Sequence, residues 1–124
     1  MAVFDSGNMA AKCCNCALEI LDHSKRFAAQ KGMAGIRLGI GIHMGPAVVG
    51  NLGSDEYLDY TLVGATVNLA ARLCGLALQS IVVSQTVRDA AANAPGLAFG
   101  SERTETIRGF RDPVTVYGLK RAVP

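Results

Sequence analysis

"GIRLGIGIHMG", residues 35–45, alternates Ile36, Leu38, Ile40 and Ile42 with Arg37, Gly39, Gly41 and His43. Successive side chains of a strand point to opposite faces, so this period of two predicts a strand with one apolar face and one nearly bare face. A glycine inside a strand gives up packing and conformational entropy, and marks a place where another backbone comes close. The stretch therefore predicts a sheet with some other element packed tightly against its glycines.

Downstream, "PAVVGNLGS" (46–54) reads as a short strand closing in a Gly-rich turn, and "YLDYTLVG" (57–64) as another strand. "ATVNLAARLCGLAL" (65–78) has helical periodicity and carries Asn68 and Arg72 four residues apart on one face, among Val67, Leu69, Ala70 and Leu73. Spacing alone makes that pair an ordinary solvated helix face. "SIVVS" (80–84) is a short buried strand, and Ser84 is placed to cap a helix that runs into Pro95 and Gly96. Residues 97–124 read as two or three strands with a turn around 109–113.

Upstream, residues 8–31 predict one long helix stopped by Gly32, with Cys13, Cys16, Ala17, Ile20 and Phe27 as its apolar stripe. The cluster Cys13, Cys14, Cys16, with His23 two turns on, invites a zinc reading, but structural zinc takes paired C-x-x-C spacings from separate segments and no second pair exists. The cysteines read instead as small core hydrophobes. The order helix, strands, helix, strand, helix, strands predicts an α+β sandwich, with helices on one face of a mostly antiparallel sheet. The opening "MAVF" reads as an apolar strand end with no preceding turn, from which a fragment is expected.

With 124 residues, half of them apolar, the chain can build one core. Twelve basic and ten acidic residues give a net charge of +2 without a basic run or an aromatic row, so nucleic acid is a poor partner. No stretch approaches the roughly 18 apolar residues of a membrane span, and the N-terminus lacks the basic and apolar regions of a secretory signal, so a cytoplasmic location is expected.

The segments "GIGIHMG", "VGNLGS" and "DYTLVGATVNLAARL" resemble the catalytic domain of class III adenylate/guanylate cyclases, whose pattern runs "GIGIHxG", "VGNxGS", "DYTxxGxxVNxAARL". "IVVS" (81–84) and "IRGFRDPVTVYGL" (107–119) resemble its later strand and closing hairpin, so the likeness covers essentially the whole chain. It implies a ferredoxin-like cyclase-homology fold. It also implies that residues 1–124 are a partial, N-terminally truncated catalytic domain, the part with the metal-binding aspartates lying upstream of Met1. The expected function is formation of cyclic AMP and pyrophosphate from ATP, with GTP as the alternative substrate, at the interface of a homodimer or with a complementing cyclase domain. Mg²⁺ or Mn²⁺ is required at the complete site, with no ligand in this chain. The other reading is a catalytically silent cyclase-homology module for dimerisation or nucleotide sensing.

The resemblance gives Asn68 the task of positioning the ribose and Arg72 that of stabilising charge on the transferring phosphoryl group. Arg108 falls where the family has a triphosphate-contacting lysine. Thr61 occupies the position that reads the purine edge, with Asp59, two residues earlier on the strand, as the alternative. Two departures stand out: Ala65 replaces the usual Asp or Asn, removing a helix cap worth about 1 kcal/mol so that Gly64 or Thr66 must substitute, and Tyr57 stands where arginine is common. His43 reads as a structural histidine at a strand end.

Overall fold

A computed structural model describes residues 1–4, 7–32, 37–54 and 57–122, with the backbone alone for 48–54 and 57–63. The elements are α1 (Met9–Gln30), β1 (Ile40–Ile42), β2 (Val48–Ser54), β3 (Tyr57–Val63), α2 (Ala65–Leu76), β4 (Ile81–Ser84), α3 (Gln85–Ala91), β5 (Leu97–Phe99), β6 (Arg103–Glu105) and β7 (Val114–Arg121). The main sheet has the order β1-β4-β7-β5, with β6 also on β7. β1 runs parallel to β4, pairing Ile40 with Ile81, and the remaining pairs are antiparallel. β2 and β3 form a separate hairpin in which Gly50 faces Thr61 and Leu52 faces Asp59. The expected α+β architecture on a mostly antiparallel sheet is what the chain adopts.

Helices cover both faces of this sheet, not one. Ile81 and Val83 of β4 pack with α1 and α3, through Cys14, Leu18, Leu21, Val87 and Ala91. Val82, pointing the other way, packs with Leu69, Leu73 and Ala77 at α2 and with Val116 and Ile107. The reason is visible in β4 itself: all four of its residues are buried, and a strand without a polar face has to be covered on both sides.

The glycines of β1 are where the sheet meets α2. A Cβ on Gly39 would overlap the Ala77 carbonyl, and one on Gly41 would lie 2.6 Å from the Ala70 carbonyl oxygen and against the Cys74 nitrogen. The Cys74 thiol also donates to the Gly39 carbonyl at 3.3 Å. Helix and strand thus touch backbone to backbone, as the bare strand face requires. β1 itself is shorter than the 35–45 stretch, and residues 33–36 lie outside the described part.

α1 begins and ends as expected, with Gly32 in the left-handed region (φ 66°) past its last turn. Its buried face is a different one. Ala10, Cys14, Ala17, Leu18, Leu21 and Ala28 are buried, whereas Ile20 and Phe27 are 46% and 54% exposed. Cys13, Cys16 and Ile20 border a cavity of about 430 Å³ shared with Met1, Phe4 and Ile42. Residues 1–4 form no strand, contrary to the reading of "MAVF", and among the described residues β1 pairs with β4 alone.

Candidate active site on helix α2

The turn of α2 decides what Asn68 and Arg72 can do. Leu69 and Leu73 are buried, at 6% and 0% exposure, which fixes the rotation of the helix and leaves Asn68 and Arg72 on its exposed side. The backbone contact with Gly39 and Gly41 fixes its height above the sheet. Among the described residues, neither the side-chain amide of Asn68 nor the Arg72 guanidinium has a hydrogen-bond or ion-pair partner. The pair therefore offers an amide and a planar fork of donors, one helical turn apart, to a ligand.

Arg108 is tied to the same apolar cluster. Its neighbour Ile107 is 4% exposed and packs with Leu69 and Leu73, and the Phe110 amide closes the turn onto the Ile107 carbonyl at 3.0 Å. The exposed Arg108 thus stands on a turn anchored beneath α2. Asp59 and Thr61 occupy alternate positions of β3, whose last residue, Val63, is one residue from Gly64 at the entry to α2. Their side chains lie outside the described part, as does that of Tyr57. The structure gathers the supports of Asn68, Arg72 and Arg108, and gives Thr61 and Asp59 a backbone position only.

Ser84 stands at the N-cap position of α3, as expected, but makes no cap bond. Its hydroxyl, on a residue 2% exposed, lies 2.7 Å from His43 Nδ1 and 3.1 Å from Thr86 Oγ1, and α3 has no side-chain cap bond. This junction joins the ends of the parallel strands β1 and β4, and no local pattern in the sequence announces it. Pairing of Ile42 with Val83 brings the two residues that follow side by side. Burial lowers the pKa of His43 below its ordinary value, favouring the neutral ring. His43 is thus a hydrogen-bonded structural residue beyond the end of β1.

The cysteines do not behave as ligands. Cys14 is fully buried, and burial, with Cys13 beside it, pushes its thiol up to about 12. Among the described residues no group of three or more His, Cys, Asp or Glu side chains is disposed to hold a metal ion. The described residues thus bring together no such set of ligands for a divalent ion. Nor is any helix of the described residues long and apolar enough to cross a membrane.

A profile of the adenylate and guanylate cyclase catalytic domain matches residues 2–121. The chain belongs to this family. A relative, adenylate cyclase 1 of Rhizobium meliloti, is 44% identical over 70 residues, which is 54% of this chain and 10% of that protein. Among solved structures, the adenylyl cyclase CyaB of P. aeruginosa superposes with a TM-score of 0.84 at 25% identity, over 96% of this chain and 63% of that one. The guanylyl cyclase Cya2 superposes with a TM-score of 0.78 at 29% identity, over 96% of this chain and 61% of that one. The cyclase chain described here thus spans less than two thirds of each of these proteins.

Proposed function

We propose that this cyclase domain acts on ATP, supplying from α2 the groups that hold the ribose and stabilise the phosphoryl group while metal-binding carboxylates come from outside its described residues. Cyclisation is an in-line attack of the ribose 3′-oxygen on the α-phosphorus with pyrophosphate leaving, and needs a held ribose and charge compensation at phosphorus. Asn68 serves the first need and Arg72 the second, with Arg108 on the triphosphate and Thr61, or Asp59, on the base. Mg²⁺ or Mn²⁺ supplies further charge compensation at a complete site. The observation that carries the reading is the Asn68–Arg72 pair itself, exposed and without a partner among the described residues, on a helix seated against backbone. ATP is favoured over GTP by the likeness to adenylate cyclases, and a hydroxyl at Thr61 suits the adenine amino group.

The test is a mixed dimer in which this chain is combined with a cyclase domain that keeps its metal aspartates and has lost its own Asn and Arg. Turnover of ATP should return only with this chain present, and the chain alone with Mn²⁺ should be inactive. Arg72→Ala should then lower kcat by roughly 10² with little change in KM, because a donor to developing charge acts on the barrier and not on ground-state affinity. An Arg72→Ala chain that keeps kcat and only melts earlier returns the pair to a solvated helix face and leaves a dimerising or nucleotide-sensing module. Thr61→Ala should change the ratio of ATP to GTP turnover in the same dimer; an unchanged ratio makes Thr61 a strand residue only.

A further inference from the structure

α2 enters its first turn without a side-chain cap. Gly64, at the cap position, has φ 134°, a conformation that L side chains rarely adopt, and the first turn holds no acidic residue. A glycine there is a swivel, so the direction of the helix start has to be set by something else. The Thr66 hydroxyl donates to the Pro46 carbonyl, across to the turn that follows β1. That turn is shaped to admit it: a Cβ on Gly45 would stand 2.8 Å from Thr66 Oγ1. The turn is in its own right held at His43, whose ring is bonded to Ser84 Oγ at the end of β4. A path of bonds thus runs from the buried end of β4 to the first turn of α2, and Thr66 is its last link.

We propose that Thr66 is a positioning residue, whose hydroxyl bond to the Pro46 carbonyl fixes the start of α2 and with it the direction in which the helix presents Asn68 and Arg72 to the nucleotide. The proposal rests on the reading of α2 as the helix that serves the nucleotide. Gly64 holds the cap position and Ala65 is the first residue of the helix, so the Thr66 hydroxyl replaces no cap but ties the helix start to the loop after β1.

In the mixed dimer, Thr66→Val keeps the shape and removes the donor, and should lower kcat about tenfold with KM within about twofold, because misplacement of reacting groups acts on the barrier. Thr66→Ser restores the hydroxyl and should recover kcat. Unchanged kcat in Thr66→Val overturns the proposal. So does a Thr66→Ser chain as slow as Thr66→Val, since the methyl group and not the hydroxyl would then be needed. If the unaltered chain restores no turnover, the reading of α2 fails by itself, and the latch is decided by amide hydrogen exchange on the chain alone. There Thr66→Val should speed exchange at the backbone N–H of Asn68, which donates to the Gly64 carbonyl at 3.1 Å, about tenfold relative to Thr66→Ser, with β4 amides unchanged. Equal exchange in the two variants overturns the latch.

Discussion

The two faces of the main sheet hold their helices in different ways. On one, side chains of α1 and α3 such as Cys14, Leu18, Leu21 and Val87 interlock with Ile81, Val83 and Tyr117. On the other, α2 rests on the backbone of β1 at Gly39 and Gly41, with Leu69 and Leu73 reaching past to Val82 and Val116. A side-chain interface can absorb a change of volume by shifting rotamers, at a cost that grows with the volume changed. A backbone contact has no rotamers to shift, so it fixes position more sharply and fails more abruptly. The helix that carries Asn68 and Arg72 has the second kind of seat, which suits the role proposed for them of meeting a nucleotide at a set distance.

Neighbouring residues of β1 offer the sharpest test of that contrast, because they face opposite ways. Gly41→Val drives a branched side chain into the α2 backbone and should cost about 3 kcal/mol or more, the upper range of overpacking. Ile42→Val, on the α1 side, removes one methylene and should cost about 1 kcal/mol. Urea unfolding of the two variants measures both. Equal costs would mean that α2 can lift away from β1, and that the two faces are held alike.

The same contrast explains what could be read from the sequence. The alternation of Gly39 and Gly41 with Ile40 and Ile42 is local, and it announced both the strand and the close approach of another element. The phase of α1 was harder: Ala10, Ala11, Cys13, Cys14, Cys16 and Ala17 are all small and apolar, so two adjacent stripes fit the period equally well, and tertiary packing chose the one with Leu18 and Leu21. The second covered face of the sheet is legible in the unbroken run Ile81, Val82, Val83, which lacks the alternation of β1. The Ser84–His43 bond was not legible, since it depends on a parallel pairing between strands 41 residues apart. Of the site, the Asn68–Arg72 spacing is local and was visible, whereas the anchoring of Arg108 through Ile107 is tertiary.

That Ser84–His43 bond joins the ends of β1 and β4 and should give the fold a pH dependence. His43 is held neutral by burial, so its folded pKa lies below the unfolded value of about 6.5. Below that unfolded value the unfolded chain takes up a proton before the folded one does, and stability falls as pH drops from about 6.5 through the folded pKa. The contribution is fully present above the unfolded pKa. Thermal melts from pH 7.5 to 5 should show this loss, and His43→Gln should flatten it. A melt curve of unchanged slope in His43→Gln would place the acid sensitivity elsewhere than at the junction of β1 and β4.

The smallest effect is expected where the α1 side looks most strongly tied. Arg121, at the end of β7, directs Nε and Nη2 to Asp22 Oδ2 of α1, at 3.0 and 2.9 Å. Both side chains are about half exposed, 52% for Arg121 and 47% for Asp22, so water and salt screen the attraction and ordering two side chains offsets part of what remains. Asp22→Asn should therefore cost at most about 0.5 kcal/mol, falling towards zero in high salt. Leu21→Ala, one residue earlier on the buried face of α1, should cost about 2 kcal/mol or more and be indifferent to salt. A reversal of that order in urea unfolding would mean that α1 is held by charge at its rim and not by Leu18 and Leu21 beneath it. The difference between the faces would then lie in electrostatics, and the backbone seat of α2 would lose its claim to be the stiffer of the two.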